Sequence, residues 1–396
     1  MIHRAFTAFA FSVLTLIFVD QSQAASLSLA GEKRWLAVAS SKDLDTAIGI
    51  GRAYGTEPWR VVSSKSGWFA VVLGPYSGAS VEQVLKANPN IGEVPRDARL
   101  SRGENYLETV WDEPRDAFQA MTEYEIGKPA RFSAGPLNFV VSMAGTQDAP
   151  GATSAEGTKD GKAVFSFHTD DEYSQWGSEA AVLRLDPQAS DPQLVFTRFT
   201  GGAHCCTQTW VATKPQGQEA WTLVEADVLD GGGYAYKDLD GDGVLEFMSV
   251  DNSFLYAFDS YAGSFAPVRV SQLRGGKLQD VSNDPAFRSE LKRDLARMEF
   301  STKLDPQVWR ANGFLAGWLA AKMRLGQGDE AWQVVTENAD RKSDFGPQVC
   351  KTGKPVETCD FDDLERVPVL KALAQFMAER DYGELPPAAR ALLGPN

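Results

Sequence analysis

Histidine, cysteine and positive charge are what this 396-residue chain has least of: three His, four Cys, and 39 Lys and Arg against 53 Asp and Glu, for a formal net charge of −14. No run of basic residues relieves that balance. Binding to a phosphate backbone needs a clustered basic face, so nucleic acid is a poor fit as partner. The acidity suits a solvated, exported surface. Beyond residue 24 the imidazoles are His168 and His204, a spacing that matches no zinc signature. Gly-x-Ser-x-Gly, His-Glu-x-x-His and the phosphate-binding glycine loop are also missing past that point, which removes the usual sequence marks of a serine hydrolase, a zincin and a P-loop enzyme.

Long apolar runs are scarce too. The run Ala5 to Val19 falls short of the roughly 20 residues that span a bilayer. With Arg4 ahead of it and Ser22-Gln23-Ala24-Ala25 behind it, it reads as a secretory signal over residues 1–24, cut after Ala24. No Cys follows the cut, so a lipid anchor is not indicated, and losing Arg4 and Asp20 together leaves the charge at −14. The expected product is soluble and periplasmic or secreted. Its length exceeds one hydrophobic core's usual limit, which predicts two or three domains.

What the chain does have is acid concentrated near its middle, in Asp238-Leu239-Asp240-Gly241-Asp242-Gly243-Val244-Leu245-Glu246 behind Gly231-Gly232-Gly233. Carboxylates at positions 1, 3 and 5 converge on one cation when the backbone curls. Gly243 supplies the turn, the Val244 carbonyl adds a ligand, and Glu246 closes the set. An EF-hand would place its closing Glu at position 12, where Ser249 stands. The stretch instead resembles the Asp-x-Asp-x-Asp-Gly-x-x-Asp/Glu loop of FG-GAP and related extracellular β-repeats, which implies structural calcium between two strands. A metal-free acidic hairpin turn is the plainer alternative, although turn chemistry alone does not call for four spaced carboxylates.

Upstream, the pattern predicts strand (Trp35 to Ala39), helix (Leu44 to Tyr54), strands (Trp59 to Ser63 and Trp68 to Leu73), a second helix (Ala79 to Ala87) and a last stretch from Leu100 to Trp111. Asp43 caps the first helix, whose apolar places Leu44, Ala47, Ile48 and Gly51 recur at helical spacing, and Gly55 ends it. The segment Trp68-Phe-Ala-Val-Val-Leu-Gly-Pro-Tyr76 followed by a helix resembles the SPOR domain, and the resemblance covers roughly residues 34–111. It implies a small βαββαβ sheet that binds peptidoglycan glycan strands, with Trp68 and Tyr76 as candidate sugar contacts. Ala37 stands where the family's first strand usually carries Gln, and Ala70 and Val72 where its third strand often carries Arg.

Asp112 to Ile126 predicts a connecting helix. Residues 127–280 then break into short apolar or alternating runs, among them Arg131 to Met143, Ala163 to His168, Leu194 to Phe199, Phe247 to Val250 and Phe254 to Phe258. Gly, Pro, Asp and Asn punctuate them, which predicts an antiparallel sandwich or partial propeller. Residues 284–396 turn helical. Asp284-Pro285 and Asp305-Pro306 place N-caps before Pro, Gly326 stops a helix, and Leu364 to Arg380 continues the pattern apart from Pro368. The fold expected is therefore α+β and multidomain.

Four cysteines in an exported chain point to disulfides, and four allow three pairings. Cys350 and Cys359 close a short loop, where local pairing would remove roughly 3 kcal/mol of unfolded-state entropy. That leaves the neighbours Cys205 and Cys206, either a vicinal bridge or, with His204, a redox or soft-metal site suited to copper or zinc. The functional expectation is a non-catalytic cell-envelope protein that binds peptidoglycan and calcium. The alternatives are an envelope hydrolase, whose carboxylate separation no sequence supplies, and a redox or soft-metal protein using His204-Cys205-Cys206.

Overall fold

The computed structural model describes residues 27–54, 58–112, 119–146, 149–169, 177–240 and 242–394. The expected signal segment, the helix-ending Gly55 and much of the expected connecting helix lie outside them.

The N-terminal unit runs β1 (Lys33–Ser41), α1 (Leu44–Arg52), β2 (Trp59–Ser64), β3 (Phe69–Ser77), α2 (Val81–Ala87), β4 (Arg99–Ser101) and β5 (Tyr106–Asp112). Its strands form one antiparallel sheet in the order β4-β1-β3-β2-β5. The elements follow the order βαββαβ, but the expected last stretch, Leu100 to Trp111, divides into two strands, β4 and β5, on opposite edges of the sheet. Asp43 does cap α1, its Oδ2 accepting from the Thr46 N–H at 2.8 Å. Alternation sorts each strand between two faces. Leu36, Val61, Val71 and Leu73 pack under the helices, whereas Trp35, Ala37, Val62, Ala70 and Val72 form a second apolar layer on the opposite face.

The central region is three stacked antiparallel sheets rather than a propeller, and no barrel closes among the described residues. β7 (Ala130–Ala134), β8 (Leu137–Thr146), β9 (Ala149–Lys159) and β10 (Lys162–His168) make a meander. The middle sheet joins β6 (Thr122–Glu123), β11 (Glu179–Leu183), β12 (Gln193–Phe199), β13 (Cys205–Thr213), β14 (Thr222–Glu225) and β15 (Leu229–Asp230). The third holds β16 (Ala235–Lys237), β17 (Glu246–Val250), β18 (Val268–Arg274) and β19 (Lys277–Asp280). Covered on both sides, β12 reads as a nearly continuous buried run. Its Phe196 faces Phe139 and Trp221 of one core, and its Val195 faces Tyr236 and Phe247 of the other.

Two expectations fail here. Residues 119–126 are not helical: Thr122 and Glu123 pair with β11 as an edge strand, so the central region starts before residue 127. Phe254 to Phe258 is not a strand either. It is a short 3-10 turn and loop that plants Phe254 and Phe258 against Phe376, at ring distances of 4.8 and 5.2 Å.

The C-terminal region contains α3 (Arg288–Leu304), α4 (Asn312–Arg324), α5 (Gly328–Asn338), α6 (Val369–Ala378) and the short α7 (Pro387–Arg390). Asp305-Pro306 opens a 3-10 turn, with the helix proper starting at Asn312. The helix expected from Leu364 begins only at Val369. Pro368 fixes that start, and Leu364–Arg366 is instead a strand, β21, paired with β20 (Gln348–Cys350). The helices cover the outer face of the third sheet through Met248 and Val268. α3 also reaches the N-terminal unit, sending Phe300 into its core.

Candidate functional site

The acidic loop joins β16 to β17, as expected, and Lys237 opposite Glu246 sets its base. Gly243 takes the left-handed conformation, φ 82°, which a side chain at that turn would oppose. The backbone curls inward around the carboxylates: Asp238 Oδ2 accepts from the Gly243 N–H at 3.0 Å, Asp240 Oδ1 from Asp242 N–H at 3.2 Å, and Asp242 Oδ1 from Val244 N–H at 2.7 Å. Glu246 comes from the strand and is fully buried. Its two oxygens accept from the Leu239 N–H and the Gln272 side chain, both at 2.8 Å. Burial pushes the Glu246 carboxyl above its ordinary value, and the charges of Asp240 and Asp242 push the same way, against the two hydrogen bonds.

Ligand atoms of Asp238, Asp240 and Glu246 lie within 4.8 Å of one another. Oxygens at 2.3–2.6 Å from one calcium ion are at most roughly 5 Å apart, so these three fit. Asp242 is not in that group. Its carboxylate turns back on Val244 and supports the loop from within. Val244 is buried.

Trp68 and Tyr76 are not brought together. Trp68 precedes β3 and Tyr76 lies near its far end, a separation of roughly 25 Å along an extended strand. Trp68 is 40% exposed, with the Lys42 amine 5.4 Å above its ring. Tyr76 packs against the helix-side core. Ala37, Ala70 and Val72 all lie on the opposite face, in an apolar layer with Leu27 and Leu29 packed on it. The Trp35 indole N–H holds that covering segment by donating to the Leu27 carbonyl at 2.8 Å. This face offers packing where the family often has polar side chains.

Both cysteine pairs are bridged, Cys205 to Cys206 and Cys350 to Cys359, with no free thiol among the described residues. The structure adds partners to the first pair that its sequence surroundings did not suggest. Cys205 lies across the ladder from Asp230. His204 Nδ1 is 3.0 Å from Asp230 Oδ1, and its Nε2 is 3.1 Å from the Tyr256 hydroxyl. The imidazole stacks on Tyr261 at 3.9 Å. Burial pushes the Asp230 carboxyl up, but the neighbouring Tyr261 phenol and His204 imidazole outweigh it and leave the group below its ordinary value. Tyr256 is half-exposed and sits at φ 61°, its N–H donating to Ser264 Oγ at 3.0 Å. A non-glycine residue there stores strain of the kind that clusters at functional sites. Asp230, Tyr256 and Tyr261 are distant in sequence from His204, and only the β13–β15 pairing brings the first of them near.

Residues 291–381 match a family model, the sll0997 C-terminal domain. That segment takes in most of α3, then α4, α5, the bridged β20–β21 hairpin and α6. Over 384 residues the chain is 36% identical to the uncharacterized protein y4bJ of Sinorhizobium fredii, which covers 95% of this chain and 61% of that protein. It is also 36% identical over 216 residues to the probable thylakoid lumen protein sll0997 of Synechocystis, covering 52% of this chain and 63% of that one. The chain thus spans a little over three-fifths of each of these curated relatives. No solved structure matches. Neither the acidic loop nor the His204 cluster falls within the matched family segment.

Proposed function

We propose that this chain is an exported, non-catalytic binding protein of the bacterial cell envelope, with calcium held in the loop from Asp238 to Glu246. The observation that carries the calcium reading is the convergence of Asp238 and Asp240 on the fully buried Glu246. Charge repulsion in this loop opposes folding when no cation is bound, and a divalent ion removes it while adding oxygen coordination. Magnesium, which demands a tighter octahedron and sheds water reluctantly, substitutes badly. Export is supported by the leader-like run near Ala5, by two disulfides, which persist in oxidising compartments, and by the lumenal name of one relative. No described helix is long and apolar enough to cross a membrane.

The test is the melting temperature with chelator and with millimolar calcium. A ligand that binds only the folded state stabilises by about 2.7 kcal/mol at a hundredfold excess over its dissociation constant. Calcium should therefore raise the midpoint, and D240A should abolish most of the gain. Equal midpoints with and without calcium overturn the reading.

A second reading assigns peptidoglycan glycan strands to the N-terminal unit. It is favoured by the unit's βαββαβ order and by the exposed ring of Trp68.

A further inference from the structure

The cluster around Cys205 contains a feature that neither calcium nor glycan binding uses. The Asp230 side chain is only 9% exposed, and its Oδ2 is buried without a partner in hydrogen-bond geometry, although the Tyr261 phenol lies near the carboxylate. Its Oδ1 is already taken by His204. A buried carboxylate oxygen left unpaired costs free energy unless something binds it. Two sulfurs stand close enough to share a ligand with this carboxylate: Cys205 Sγ, Cys206 Sγ and an Asp230 oxygen lie within 4.8 Å of one another. Thr200 holds the sulfur-bearing turn from both sides, its Oγ1 accepting from the Cys206 N–H at 2.7 Å and its own N–H donating to the Cys206 carbonyl at 2.8 Å.

We propose that reduction of the Cys205–Cys206 bridge uncovers a site for one thiophilic divalent cation of the zinc class, held by Cys205 Sγ, Cys206 Sγ and Asp230 Oδ2. The reductant is a dithiol. It gives two electrons and two protons to the Cys205–Cys206 bond, which becomes two thiols, and is itself oxidised to its own disulfide. On binding, the cation displaces both thiol protons to solvent, because thiolates are the ligands. Two sulfurs and one carboxylate oxygen suit zinc and leave a fourth position open. His204 stays outside the coordination set as a positioning residue: its Nδ1–H fixes the Asp230 carboxylate, while the Tyr256 hydroxyl and the Tyr261 ring fix the imidazole. The oxidised protein, with both sulfurs in the bridge, lacks the site.

The full-length protein is reduced with dithiothreitol, freed of it by gel filtration under argon, and dialysed against zinc beside an unreduced sample. One more equivalent of zinc is expected on the reduced protein than on the unreduced one. Zinc held by the acidic loop appears in both samples, so the difference reads only the cysteine site. The extra equivalent should vanish in C205S/C206S and persist in C350S/C359S. Affinity should fall in D230N, and by about 10- to 100-fold in H204A, the range for losing a residue that orients a metal ligand. Circular dichroism confirms that each variant is folded. Equal zinc on reduced and unreduced protein, or an affinity unchanged in D230N, overturns the proposal.

Discussion

Tyr382 and Asp251 show how single side chains tie the helical region to the third sheet. Tyr382 donates a hydrogen bond to Asp251 Oδ2, and the Arg324 guanidinium lies over the Tyr382 ring at 4.4 Å. Ser253 N–H donates to the other Asp251 oxygen at 2.9 Å. Burial pushes the Asp251 carboxyl up, yet hydrogen bonds from Tyr382 and Ser253, helped by the charge of Arg269, hold it below its ordinary value. A carboxyl depressed in the folded state stabilises above its unfolded pKa, and that contribution is lost as pH falls through the lower, folded value. The loss therefore falls below about pH 4, where an unperturbed Asp titrates. Unfolding free energies measured across that window should show a shallower acid decline for D251N than for wild type, and a decline of unchanged slope would refute this role. Y382F removes a donor to a half-buried carboxylate, and its expected cost near neutral pH is roughly 1–2 kcal/mol.

Among the elements, α1 packs on α3 and so joins the N-terminal unit to the helical region. A Cβ placed on Gly49 would stand 2.4 Å from the Arg293 carbonyl oxygen and 2.7 Å from the Ala296 Cβ. Since the first obstacle is backbone, a side chain there must force the helices apart. G49A should therefore lower stability by roughly 1–3 kcal/mol, even though Ala is favoured over Gly in an isolated helix by about 1 kcal/mol. A G49A midpoint at or above wild type in thermal melting would show that the contact tolerates separation. The existence of α1 was legible, because the Asp43 cap and the apolar spacing are local signals. Gly49's role was not, because its partner belongs to a helix far along the chain: Arg52 and Glu290, which seal the same contact at 2.7 and 2.9 Å, are 238 residues apart. The same contrast holds elsewhere. The acidic loop announced itself within nine residues, although Asp242 turned out to brace the loop rather than face the other carboxylates. Asp230's place beside Cys205 depended on strand pairing. The aromatic run at Phe254 looked like a strand because periodicity cannot distinguish one from a loop that anchors two rings in a neighbouring helix.

At the scale of the whole molecule, the N-terminal unit is built into its surroundings rather than hung from a linker. Phe300 of α3 completes its core and meets Tyr54 edge-on at 5.5 Å. Glu290, nearly buried, is held by Arg52 from one side of the contact and by Arg293 from the other. Removing one partner of such a network leaves a buried charge uncompensated, so a fragment cut near residue 112 would expose both the apolar helix face and Arg52. The glycan reading is therefore best tested on the full chain. The sheet face lined by Ala37, Ala70 and Val72 is apolar and has Leu27 and Leu29 packed on it, and Tyr76 is drawn toward the helix-side core, so the edge that the proposed glycan binding would use is the one bearing Trp68 and the Lys42 beside it. An exposed indole offers a flat apolar surface to a sugar ring at little conformational cost. The full-length protein should cosediment with intact sacculi and with glycan strands stripped of peptide. W68A should weaken that binding about tenfold, the loss expected when a central aromatic anchor is truncated, without changing the melting temperature. Full-length protein that stays in the supernatant with both preparations would remove peptidoglycan from the list of partners, and binding undiminished in W68A would move the contact away from this edge.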